Sequence, residues 1–200
     1  MEKLVETMIQ RNVAGFCLQE TWRLGNFITT IRGNTVIHHG MEKKNNLKVI
    51  ISAGVAVILN PVLTKAWSRS GKLPPITSDN SLNFSGRMIG VTVCFPCRWN
   101  RPKDAYIRES NKSIKIFICS IYHPVEHDEQ KLFNNELDTF YTNAPRNSEI
   151  LAGQDINANA GIFSPMFNDV LRPNGIRNIN AKGIYLLFLI KSQKLKFLLS

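Results

Sequence analysis

Apolar residues recur along this chain at two different periods. Leu4, Val5, Met8 and Ile9 repeat at helical spacing, so residues 2–11 read as an amphipathic helix. A strand-like run, 13–18, follows at once, and 49–59, 87–95 and 114–122 read as further strands. Residues 35–38 make a weaker strand, 149–152 a short one and 195–199 a last one. The run 114–122 is apolar at nearly every position, the pattern of a strand covered on both faces. Leu132, Phe133, Leu137, Phe140 and Tyr141 mark a helix over 126–143, and Glu126, Asp128 and Glu129 place negative charge at its positive end. Loops fall at 68–85, which carries Pro74-Pro75 among Ser, Gly and Asn, at the polar and basic 97–112, and at 161–180. Many strands with few helices between them predict an α/β or α+β fold.

Composition narrows this to one globular domain over residues 1–200, since 200 residues with 44% hydrophobic content fill one core and not two. The longest apolar stretch, 184–190, falls far short of the ~18 residues of a membrane span, so no membrane partner is expected. The opening MEKLVETMIQRN carries Glu2 and Glu6 within a helical pattern and has no secretory h-region, which predicts an intracellular protein. The formal charge is +10, distributed unevenly: 121–169 holds 2 basic and 8 acidic residues, and 170–200 holds 6 basic and none acidic. Cationic rims around an acidic band suit a nucleic-acid enzyme, because the cations attract phosphates and the carboxylates hold a metal. A solvated surface with uneven lysines explains the same numbers equally well.

The cysteines add little chemistry. Cys17 and Cys119 sit inside apolar runs, where a thiol acts as a small hydrophobe. Cys94 and Cys97 form a CxxC, but no second pair stands at zinc spacing and no helix begins at Cys94, which favours a structural reading. His123 and His127 are four apart, yet Pro124 disfavours helix at His123, so His127 near a helix start is the plainer reading.

Three strands end on reactive side chains. Residues 13–18 run into Gln19, Glu20 and Thr21; 114–121 run into Tyr122 and His123; 150–152 run through Gly153 into Asp155 and Asn157. Ligand sites of layered α/β proteins collect at strand carboxyl ends, where loops place side chains on a rigid frame. A site there would hold Glu20, Tyr122, Asp155 and Asn157. Taken singly, each is more often a capping or loop-bonding residue, and the set together is what carries weight.

Read in series, these segments resemble a known family. Phe16-Cys17-Leu18-Gln19-Glu20-Thr21 resembles the "LQET" segment of the endonuclease/exonuclease/phosphatase superfamily, Ser120-Ile121-Tyr122-His123-Pro124 its "YxP" segment, and Gly153-Gln154-Asp155-Ile156-Asn157-Ala158 its "GDxNA" segment. Gly54-Val55-Ala56-Val57 and Gly86-Arg87-Met88-Ile89 are similar to its "GGVA" and "GRxI" strands, and Asn174-Gly175 with Asn180-Ala181-Lys182-Gly183 to its glycine-bearing loop before a helix. The subtype most similar is the apurinic-endonuclease-like domain at the front of non-LTR retrotransposon polyproteins.

The resemblance implies a four-layer α/β sandwich, two mixed sheets face to face with helices outside. It implies a divalent-metal-dependent phosphodiesterase acting on DNA, with Mg²⁺ as cofactor and Mn²⁺ as a substitute. Glu20 would be the metal ligand, Asp155 would orient or deprotonate the attacking water, and Asn157 and Tyr122 would hydrogen-bond phosphate oxygens. A polyprotein with reverse transcriptase and a nuclear location follow from the same likeness. The family's first strand, with its Asn, and its final Asp and "SDH" segment have no counterpart here, so an incomplete domain with a partial catalytic set is expected. A non-catalytic nucleic-acid-binding remnant is the alternative, and a phosphatase of the same superfamily a weaker one.

Overall fold

The helical repeat at the start of the chain forms α1 (Glu2–Gln10), which buries Val5 and Met8. It stops where the chain turns left-handed at Asn12, φ 51°. There the amide of Asn12 donates to the Ile9 carbonyl at 3.1 Å and that of Val13 to Met8 at 2.9 Å, which closes the helix end and delays the next strand to Gly15. The computed structural model describes residues 1–41, 54–78, 85–96, 113–125, 127–157 and 183–184, with backbone alone at 127 and 128. The chain divides into two compact units, Met1–Asp155 and Ile156–Ser200. The layers described below belong to the first.

After α1 come β1 (Gly15–Leu18), β2 (Phe27–Ile31), β3 (Asn34–His39), β4 (Val55–Leu59), α2 (Pro61–Arg69), β5 (Ile76–Thr77), β6 (Met88–Pro96), β7 (Ser113–Tyr122), α3 (His127–Thr142) and β8 (Ser148–Asp155). One sheet runs β1-β4-β3-β2, antiparallel throughout. The other runs β5-β6-β7-β8, parallel only between β7 and β8, where α3 supplies the crossover that parallel strands need.

The two sheets pack face to face. Val55, Val57 and Leu59 of β4 and Ile37 of β3 meet Ile89, Val91 and Val93 of β6 and Ile118 of β7 in one core. The alternate residues face outward. Val36 and Ile58 take α1, with Val5 and Met8, against the first sheet. On the second sheet the Phe117 ring lies 5.6 Å from that of Phe140 on α3, where Phe133, Leu137 and Tyr141 are also buried. Covered on both faces, β4 and most of β7 need apolar residues at consecutive positions, which is why they read as unbroken runs. Helix, sheet, sheet, helix is the four-layer α/β sandwich that the family resemblance implies.

Several elements depart from the sequence reading. The hairpin partner β2 is unforeseen: Ile28 to Thr30 are exposed, so it carries no apolar run, and its Arg32-Gly33 turn, φ 48° and 78°, is a primed hairpin turn without the usual Asn. Helix α2 also escaped, although Asn60 caps it, its Oδ1 accepting the Leu63 amide at 2.9 Å with Pro61 next. The two-residue β5 lies inside the expected 68–85 loop. Strand β8 continues through Gly153 and Gln154 to Asp155, beyond the expected 149–152. Of the expected 49–59 strand, 55–59 is seen; 49–53, the strand 195–199, the loops 97–112 and 161–180, and Cys97 lie outside the described residues. Cys119 is a buried free thiol and Cys17 a half-buried one packed against the core, and desolvation pushes the Cys17 thiol up to about 11. Among the described residues no helix is long and apolar enough to cross a membrane.

Candidate active site

Strands β7 and β8 are parallel and in register, Tyr122 opposite Asp155, so their carboxyl ends lie together. Strand β1 reaches the same place from the other sheet. It passes so close to β8 that a Cβ on Gly153 would collide with the Cys17 side chain, which leaves room for glycine alone. Three bonds fasten this crossing: Gln19 Nε2 donates to Ser120 Oγ at 2.9 Å and to the Gly153 carbonyl at 2.9 Å, and Ser120 Oγ donates to the Leu18 carbonyl at 2.7 Å. Buried polar groups bonded in this way cost little, whereas any one left alone would cost ~1–3 kcal/mol.

The chain then leaves β1 into a loop whose backbone is left-handed at Glu20, φ 51°, and at Trp22, φ 56°. Such values are strained for non-glycine residues and persist where surrounding contacts impose them. Here Thr21 imposes them: its amide donates to the Gly54 carbonyl at 2.9 Å, and its hydroxyl lies 2.7 Å from His38 Nε2. Gly54, at φ 121°, allows this approach, because a Cβ there would strike the Thr21 hydroxyl.

The result is that Glu20, an exposed carboxylate, accepts a hydrogen bond from the Tyr122 hydroxyl at 2.6 Å. Burial, then the Glu20 carboxylate that takes its hydrogen bond, pushes the Tyr122 phenol up to about 12, with Asp155 adding to the rise. The phenol therefore stays protonated and acts as a donor near neutral pH. Against the rise works Arg87, whose guanidinium carbon stands 5.3 Å from the centre of the Tyr122 ring. Arg87 Nη2 lies 3.8 Å from Glu129 of α3, and burial lowers its pKa. Next door, the His123 amide donates to the Asp155 carbonyl at 2.9 Å, and the His123 ring stands against Phe133 and 3.1 Å from Gln154 Oε1.

Of the four residues singled out in the sequence, Glu20, Tyr122 and Asp155 thus gather at one end of the sandwich. Asn157 belongs to the second unit, where it is exposed with a left-handed backbone, φ 48°. Sequence reasoning gave no role to Arg87, Gln19, Ser120, Thr21 or His38. A lone arginine opening an apolar strand was the available signal for Arg87. The others act through partners far away in the sequence, as Gln19 does through Ser120.

Glu20 and Asp155 offer hard carboxylate oxygens, while the Tyr122 phenol keeps its proton beside them. Mg²⁺ takes one or two carboxylates, keeps several waters and fills its shell from substrate phosphate, so this donor set fits it. Among the described residues no three of His, Cys, Asp or Glu are grouped into a protein cage.

No protein-family model matches the chain, and no curated protein matches it. Among solved structures it is similar to the endonuclease domain of TRAS1, a telomere-specific non-LTR retrotransposon, with TM-score 0.48, 13% identity, and coverage of 96% of this chain and 63% of that one. It is also similar to the catalytic domain of Xenopus laevis APE2, with TM-score 0.47, 15% identity, and coverage of 81% of this chain and 56% of that one. The chain spans less than two thirds of the length of either.

Proposed function

We propose that the chain is a divalent-metal-dependent phosphodiesterase that nicks DNA, a partial endonuclease of the retrotransposon type. The observation that carries this reading is the Glu20–Tyr122–Asp155 constellation. It puts two carboxylates around one protonated phenol at the carboxyl ends of three strands drawn from both sheets.

Each group has a task its chemistry suits. Glu20 would hold Mg²⁺ or Mn²⁺ from an exposed loop that a phosphate can reach. When bound, the ion neutralises charge developing on the phosphate and leaving group. Asp155 accepts a proton from, or orients, the attacking water. Tyr122 keeps its proton, so its O–H passes from Glu20 to a non-bridging phosphate oxygen once substrate arrives. Arg87, beside the ring, adds positive potential near the site. Asn157 is assigned a second hydrogen bond to phosphate by the motif alone.

The test is conversion of supercoiled plasmid to nicked circle with Mg²⁺ or Mn²⁺, lost on adding chelator. Salt-sensitive DNA binding without nicking would replace this reading with a binding module. Hydrolysis of a phosphoinositide but not DNA would replace it with a phosphatase.

A further inference from the structure

Two residues beyond Glu20, and so within about 7 Å along the backbone, Trp22 stands 55% exposed. Exposed Arg23 and Leu24 follow it. A tryptophan ordinarily buries most of its large surface, and a left-handed backbone is costly for so bulky a residue. Its exposure does not come from a frayed segment. Thr21 is tied to Gly54 and His38; His38 Nδ1 lies 2.9 Å from the Gly25 carbonyl; the Gly25 amide donates to Met41 at 2.9 Å and Gly40 donates back to Gly25 at 3.1 Å. The Arg23 carbonyl is pressed onto Gly40, where any Cβ would collide with it. The loop is clamped on both sides of Trp22, and the side chain stands exposed on it two residues from Glu20. Among the described residues, Arg23 forms no ion pair.

We propose that Trp22 is a stacking platform for an unpaired base of the DNA strand whose phosphate sits at Glu20, with Arg23 drawing in the neighbouring phosphate. The assignment rests on the nuclease reading for its substrate. An indole face accepts any base that is free to leave its neighbours, and a cationic residue beside it supplies the backbone attraction. Bases inside a duplex already stack on one another, so the platform selects single-stranded or locally unpaired DNA. It would give the site a preference among DNA structures without any sequence code.

The experiment uses the full chain carrying Glu20→Gln, in chelator, titrated with a short single-stranded oligodeoxynucleotide, a matched duplex, and heparin as a polyanion without bases. Trp22→Ala in this background is expected to weaken single-strand binding about tenfold and to leave duplex and heparin binding within about twofold. Trp22→Phe, read in a chain that also carries Trp99→Phe, is expected to keep the single-strand affinity while removing most of the fluorescence quenching, since Trp67, the remaining tryptophan of the sequence, is buried. Unchanged single-strand affinity in Trp22→Ala, equal quenching in Trp22→Phe, or an equal loss toward heparin would each overturn the proposal. Plasmid nicking by the unmodified chain is read separately: Trp22-dependent binding without nicking removes the nuclease reading and keeps the platform, and nicking with Trp22-independent binding does the reverse.

Discussion

Two polar bridges join the sheets on either side of the Glu20 loop, and they are built from different chemistry. One is the Gln19–Ser120–Gly153 crossing, made of an amide, a hydroxyl and a carbonyl, none of which titrates. The other centres on adjacent histidines of β3. His39 Nε2 accepts the Gly86 amide at 3.0 Å, with Ser78 Oγ 3.1 Å away, so its proton lies on Nδ1, which donates to Asn26 Oδ1 at 2.7 Å. By the same logic His38 donates from Nδ1 to the Gly25 carbonyl and accepts from Thr21. Both imidazoles are fully used while neutral; a second proton on His39 would face the Gly86 amide, a donor that cannot turn, whereas the Thr21 hydroxyl facing His38 can rotate to accept. The site is therefore framed by one bridge that is indifferent to pH and one that is conditional on it.

The largest expected effect lies where the two bridges converge. Glu20→Gln keeps the shape and an oxygen for the Tyr122 hydroxyl but removes the charge. On the proposed function, plasmid nicking falls by about 10²-fold or more, while the melting temperature stays put because Glu20 is exposed. Full nicking by the variant would remove Glu20 from the chemistry and leave the bridges with a structural task only.

The contrast between the bridges is sharpest in acid. Burial, with the neighbouring His38 adding to it, lowers the His39 pKa from 6.5 to about 4. Between these values the unfolded chain binds a proton that the folded chain refuses. The associated stability is fully present above pH 6.5, is lost as pH falls toward about 4, and levels off below. The total is about 3 kcal/mol. Urea unfolding at a series of pH values should show this slope, and His39→Asn should flatten it; an unchanged slope in the variant would place the proton elsewhere.

How much of this was legible in the sequence follows from the same geometry. The mix of strands and helices was, because β4 and β7 are covered on both faces and so carry unbroken apolar runs, whereas the four layers came only with the family resemblance. The strand ends were, because Glu20, Tyr122 and Asp155 each stand within three residues of the end of an apolar run. The bridges were not. Ser120 and Gly153 stand 101 and 134 positions from Gln19, and no local pattern announces a partner at that range. His38 reads as the polar end of the weak 35–38 strand and His39 falls just outside it, and nothing near them in sequence announces Gly86 and Ser78, which meet His39 from the second sheet. Strand β2 escaped because an edge strand with three exposed central residues has no hydrophobic signature.

On the pH-indifferent side, Gly153→Ala forces a methyl into the Cys17 side chain, and a close sheet crossing has little room to yield. Overpacking of this kind costs about 1–3 kcal/mol, the same at neutral and acid pH. Denaturant midpoints at two pH values check both statements. A paired Cys17→Gly change should recover part of the loss, since it removes the atoms that the new methyl meets.

Ser120→Ala is the mildest of these changes. The hydroxyl is fully buried and serves twice, as acceptor from Gln19 and donor to Leu18. Its removal leaves the Leu18 carbonyl short of a partner, but Gln19 Nε2 keeps the Gly153 carbonyl. Because one strand of the crossing survives, the expected cost is about 1 kcal/mol, again without pH dependence. The instructive readout is the coupling with His39→Asn. If the two bridges hold the Glu20 loop independently, their effects on unfolding add; if each depends on the loop being seated by the other, the double variant loses less than the sum, and the loop folds as one unit with both sheets.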